Sequence, residues 1–163
     1  MTLTALKLFG FLPLLALATA AGATDSDPPG PVEAWQADKT LAFDAAEIDL
    51  DAFKWVARPV VVFADSPNDP AFQRQLELLA ARRDELIERD VVLITDTNPS
   101  ERSALRTKLR PRGFMLTLIG KDGGVKLRKP FPWDVRELTR QIDKMPIRRQ
   151  EIIDAKAAAA GRE

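Results

Sequence analysis

Two acidic residues stand at the ends of apolar runs: Asp65 after Val60-Val61-Val62-Phe63-Ala64, and Asp96 after Val91-Val92-Leu93-Ile94-Thr95. Ligands of open α/β sheets sit beyond the carboxyl ends of the parallel strands. Asp65, Asp69 and Asp96 are therefore candidates for holding a hard cation such as calcium or magnesium, or for general acid and base work. Aspartates at loop starts also cap helices and turns, which explains Asp65 and Asp69 without any chemistry. Ser66, in the first loop, is placed as a nucleophile would be, yet the sequence holds no histidine to activate it. It holds no cysteine either. These two absences remove His-based triads, Cys–His pairs, thiol exchange, covalent haem attachment and the usual zinc and copper sites. No catalytic residue is assigned and no cofactor is expected.

Charge supplies a second set of candidates. Residues 24–98 carry 7 Lys and Arg against 16 Asp and Glu, whereas residues 99–149 carry 14 against 5. Such a separation can present a basic face to an envelope protein, an anionic polysaccharide or a lipid surface. Lys126 and Arg128 on one hairpin strand, with neighbouring Lys129, and Arg148 and Arg149 on the last helix are the expected contacts, and Ser66 is a further binding candidate. The alternative is that the two halves neutralise each other within the fold and that the lysines merely guard an edge strand. Nucleic acid is not an expected partner, because the chain is neutral overall and has no aromatic-basic motif. Gly120-Lys121-Asp122-Gly123-Gly124 is a turn and not a phosphate loop, since no helix-opening Gly-Lys-Ser/Thr follows. Trp133 suits either a sugar-stacking surface or a hydrophobic staple at a helix start.

The elements that must position these residues follow from pattern. Val60 to Ala64 reads as a buried strand. Asp69-Pro70 then gives a cap and a first-turn proline, and Phe72, Leu76, Leu79 and Leu86 predict one helix reaching about Arg89. Val91 to Thr95 is a second buried strand, and Asn98-Pro99 predicts a helix to about Leu109. Phe114 to Ile119, the glycine-rich turn and Val125 to Arg128 form a hairpin. Val135, Leu138, Ile142 and Met145 mark a further helical face, and Pro146 separates it from a last helix through Glu151. Leu41-Ala42-Phe43 fits a short strand or a turn. The expected fold is α/β and thioredoxin-like: a central mixed sheet of about four strands in the order β-α-β-α-β-β-α, with an extra C-terminal helix.

Four segments carry a resemblance: Arg58 to Ala64, Gln73-Arg74-Gln75-Leu76, Leu118 to Arg128, and Ile142-Asp143-Lys144-Met145-Pro146-Ile147-Arg148-Arg149-Gln150-Glu151. With them the chain resembles the bacterial DUDES-type thioredoxin-like proteins, a family of unknown function related to modules of animal extracellular sushi-repeat proteins. The resemblance implies an exported thioredoxin-like domain and supplies no catalytic residue. Thioredoxins themselves place a cis-proline where this chain has Gly113, so the thiol cradle is missing along with the thiol.

Met1 to Ala23 has the three parts of a secretory signal: Lys7, the apolar stretch Leu8 to Ala18, and small residues suited to cleavage after Ala20 or Ala23. The apolar stretch is too short to span a bilayer, and no later segment is apolar enough to do so. The expected organisation is a signal peptide over 1–23, a disordered leader over 24–40, a thioredoxin-like domain over 41–151 and a flexible tail over 152–163. The chain is expected to be exported, periplasmic or secreted. Two functions remain open: a non-catalytic binding module for an envelope protein or anionic polymer, and a carboxylate-based enzyme, with or without a metal, using Asp65, Asp69 and Asp96. A structural role in a larger assembly is a third.

Overall fold

Strand β2, Arg58–Phe63, is buried at every position, as expected where both faces of a strand are covered. A computed structural model of the chain describes residues 28–161; the expected signal peptide lies outside them. β2 pairs in parallel with β3, Val91–Asp96, and antiparallel with β4, Met115–Ile119. β4 continues antiparallel into β5, Val125–Lys129, and β1, Ala42–Asp44, adds a parallel edge to β3. The order β1-β3-β2-β4-β5 is thus five strands, one more than the approximate four expected, because Ala42 and Phe43 adopt the strand alternative. With its helices the sheet is that of a thioredoxin-like domain.

Each face has its own core. Val61, Phe63 and Ile94 meet Trp35, Phe53, Leu105 and Leu109 on one side. Val60, Val62, Leu116 and Leu118 meet Phe72, Leu79, Leu138 and Ile142 on the other. Successive strand residues alternate between these cores, as the pleat requires.

Helix α2, Pro70–Ala81, begins where its signals place it, with Asp69 accepting from the backbone N–H of Ala71 and Phe72. It does not run to Arg89. The chain breaks at Arg82 and restarts as α3, Arg83–Ile87. Arg82-Arg83-Asp84-Glu85 offers no apolar residue over that turn, and Asp84 and Glu85 favour a fresh helix N-terminus. The helix expected from Pro99 is likewise divided into a 3₁₀ turn, Pro99–Glu101, a left-handed Arg102, and α4, Ala104–Leu109. Ser103 is the true cap, its hydroxyl accepting from Arg106 N–H. Helix α5, Val135–Asp143, and helix α6, Pro146–Ala160, meet at Pro146 as expected.

Two expected boundaries are corrected. The leader was expected to reach residue 40, but Pro31–Ala37 forms helix α1 and its Trp35 is only 1% exposed. One large aromatic ring is enough to bring the segment into the core. The tail expected over 152–163 is helical through Ala160, because alanine has the highest helix propensity. That extension remains exposed from Ile153 onward. Among the described residues, no helix is long and apolar enough to cross a membrane.

Candidate functional site

The carboxyl ends of β2 and β3 bring Asp65 and Asp96 to the same place, but an arginine stands between them. Arg106, on α4, donates to Asp96 Oδ1 through Nε at 3.0 Å and through Nη2 at 2.8 Å. The same Nη2 reaches the carbonyls of Ala64 at 2.8 Å and Asp96 at 3.2 Å, and Nη1 lies 3.6 Å from Asp65. Ser103 donates to Asp96 Oδ2 at 2.6 Å. Asp96 is 4% exposed, and the Arg106 guanidinium and the Ser103 hydroxyl satisfy its buried oxygens. Arg106 also lies over the Phe63 ring, 5.6 Å from its centroid. The result is a plug over the strand ends.

The remaining loop residues have local tasks. Asp69 caps α2, and Ser66 Oγ accepts from Asn68 N–H at 3.2 Å as in a turn. Asp65 is exposed, and its carboxylate approaches Gly113, whose φ of +60° suits glycine. Asp65 and Asp96 thus share one arginine, while Asp69 is occupied by its helix. Among the described residues no group of three His, Cys, Asp or Glu is placed to hold a metal ion.

The basic candidates do not gather on one face. Lys126 pairs with Asp122 at 2.6 Å, and Arg128 donates to the Leu109 carbonyl at 2.6 Å. Lys129 Nζ sits 4.4 Å from the Trp133 ring centroid. Trp133 N–H donates to Gln75 Oε1, and Gln75 Nε2 returns the bond to the Trp133 carbonyl. Arg148 is buried and directed at Glu88, Asp143 and Glu151. Arg149 alone of the two arginines is exposed.

Arg148 belongs to an ionic cluster at the opposite end of the sheet that sequence reasoning missed. Arg58, fully buried, donates to the Arg89 carbonyl at 2.8 Å and to Glu151 at 2.9 Å. Lys121 joins Glu151 and Asp90, each at 2.8 Å, and Arg89 grips Asp143 through two nitrogens at 2.9 Å. Burial pushes the Asp90, Asp143 and Glu151 carboxyls up, but their cationic neighbours outweigh it and hold all three below the ordinary range. The available signal was Arg58-Pro59 opening a buried strand, where a charge has to be paired.

Strand order, pairing and the absence of any cysteine define a thioredoxin-like domain in which thiol exchange has no nucleophile. The chain belongs to the family described as a domain of unknown function (DUF4174), whose model matches residues 49–151. No curated protein matches it. Solved structures similar to it include Plasmodium yoelii thioredoxin peroxidase I, 16% identical over 59% of this chain and 76% of that one, TM-score 0.47. Chloroplastic thioredoxin z is 20% identical over 55% of this chain and 80% of its own, TM-score 0.42. Reduced desulfothioredoxin from Desulfovibrio vulgaris Hildenborough is 19% identical over 64% and 97%, TM-score 0.44.

Proposed function

We propose that this domain is exported and acts by binding, without catalysis, and that its partner is an anionic component of the cell envelope. Export is supported by the order of Lys7, the apolar stretch and the small residues before Ala20 and Ala23. One observation carries the binding reading: three arginines around α4, Arg102, Arg110 and Arg112, are exposed and make no side-chain hydrogen bond or ion pair among the described residues. The sequence pointed to Lys126, Arg128, Arg148 and Arg149, three of which have internal partners. Arg102 and Arg110 both adopt left-handed backbone, with φ of 47° and 50°, a conformation unfavourable for arginine that recurs at functional positions. They stand on either side of a six-residue helix, which is about 9 Å long.

A tagged chain carrying its own residues 1–23, crosslinked in intact cells, tests the reading. Wild type is expected to recover an acidic envelope protein or anionic polymer. The triple variant Arg102→Glu, Arg110→Glu, Arg112→Glu is expected to lose that recovery while keeping its unfolding midpoint. Undiminished recovery by the triple variant would refute the arginine surface, and retention of the chain inside the cell would refute export.

A further inference from the structure

Between α2–α3 and the β1 edge of the sheet runs a groove of about 350 Å³, within the size range of small-molecule sites. Val60 and Leu93 form its floor, and Phe72, Leu76 and Leu79 stand along the helical wall. It exists because β1 is only three residues long and α2 lies over β2, leaving β3 and β1 partly uncovered on that face. Two hydroxyls border it, and both have partners within the protein. Thr40 Oγ1 donates to Asp38 at 2.6 Å, and Thr95 Oγ1 to the Phe43 carbonyl at 3.5 Å. An occupant must therefore be free of polar atoms where it lies against the floor.

The mouth is different. Lys39 and Arg83 both border it. Lys39 is bound to Asp90 at 2.6 Å and sits over the Trp35 ring. Arg83 is exposed and makes no hydrogen bond or ion pair among the described residues. The acid that feels its field is Asp38, whose carboxylate is held by Thr40 N–H and Oγ1. The groove thus combines a hydrocarbon interior with a cation at its entrance that makes no hydrogen bond or ion pair among the described residues.

The geometry points to a binding site for an amphipathic carboxylate, with an unbranched alkyl chain laid along Leu93 and Leu76 and its carboxylate on the Arg83 guanidinium. A planar monoanion matches the fork of an arginine, and the Arg83 guanidinium has its hydrogen-bond donors free to receive one negative head, with Asp38 near enough to feel its field but not bonded to it. The site is independent of the anionic-partner surface: α4 packs on the opposite core, with Leu105 and Leu109 against Val61 and Phe63, whereas Phe72 and Leu79 belong to the other.

Calorimetric titration of the full chain with octanoate, decanoate and dodecanoate, each below its micelle-forming concentration, tests the site. One saturable site is expected, tightening by about threefold to fourfold per added methylene until the chain outgrows the groove. Decylamine is expected not to bind. Arg83→Glu should weaken decanoate by about tenfold or more and leave decanol unchanged. Leu76→Trp should block both ligands, and Leu93→Phe does the same from the floor should the first variant fail to fold. Absence of saturable binding at every chain length, or binding undiminished in the folded blocking variants, would overturn the proposal. So would a dimer that Leu76→Trp converts to monomer, because the groove would then seat a second copy. The Arg102, Arg110, Arg112 triple variant should bind decanoate like wild type, so failure of one site leaves the other standing.

Discussion

Replacing Glu151 by alanine should be among the most destabilising changes on the surface of α6. The Arg58 side chain is 1% exposed, with Glu151 as its carboxylate partner at 2.9 Å. Its other bond is to the neutral Arg89 carbonyl. Breaking a buried pair from one side costs about 3–5 kcal/mol, because the remaining charge is left without compensation. Two features lower that figure: Glu151 keeps 25% of its side-chain exposure, and Lys121 retains Asp90. The expected loss is about 3 kcal/mol, or about 10 °C in midpoint for a domain of this size. Glu151→Gln keeps an acceptor for Arg58 without the charge and should lose about half as much. Urea and thermal unfolding followed by circular dichroism give both values. The double variant Arg58→Met, Glu151→Ala should be more stable than Glu151→Ala alone by about 1 kcal/mol or more, since it no longer buries a charge. Losses under about 0.5 kcal/mol for Glu151→Ala, or strict additivity in the double variant, would refute an ionic cluster of this strength.

The same carboxylates set the acid limb of stability. Folded Asp90, Asp143 and Glu151 titrate below their unfolded values, so their contribution is complete above about pH 4–5 and is lost as pH falls through the folded values. Without histidine the unfolding midpoint should be nearly constant from about pH 5 to 8 and fall below about pH 4; a steep change near pH 6.5 would contradict this. Trp35→Ala should cost about 3–5 kcal/mol in urea titrations if α1 belongs to the core, whereas a cost under about 1 kcal/mol would return residues 31–37 to the leader. Arg110→Gly should raise stability by about 0.5–1 kcal/mol by relieving left-handed backbone at the end of α4. The same change should weaken recovery of the anionic partner; a destabilised protein with intact recovery would refute both parts.

What could be read from the sequence was local. Asp69-Pro70 announces a helix start through bonds two and three residues away, and the strands announce themselves through unbroken apolar runs. Ser103 was legible in principle, since Ser103-Ala104-Leu105 is an ordinary cap before an apolar residue. It was masked by the stronger Asn98-Pro99 signal, which supports only a 3₁₀ turn. Trp35 was hidden among breakers and acids, although one ring decides whether that segment packs. Arg58 in a buried strand signals that a charge must be paired there, but its partner was not legible, because the bonds that tie the ionic cluster together join residues 60 and 93 apart, Glu88 to Arg148 and Arg58 to Glu151. No spacing rule spans such distances, and a charge count sees a basic half without seeing where its cations point.

Arg106 shows why the basic half could not be read as one surface. In a chain balance it counts as one more positive charge, but in the fold it draws together Asp96, Asp65 and the Ala64 carbonyl at the end of the sheet where α/β folds hold ligands. The residues that looked most chemical, Asp65 and Asp96, face this guanidinium, and Ser103 completes the shell of Asp96. A cation binding there would have to displace a partly buried arginine that makes four bonds. The two surfaces proposed above therefore rest on cations that the fold leaves without an internal partner: the arginines around α4 on one side of the sheet, and Arg83 beside the apolar groove on the other.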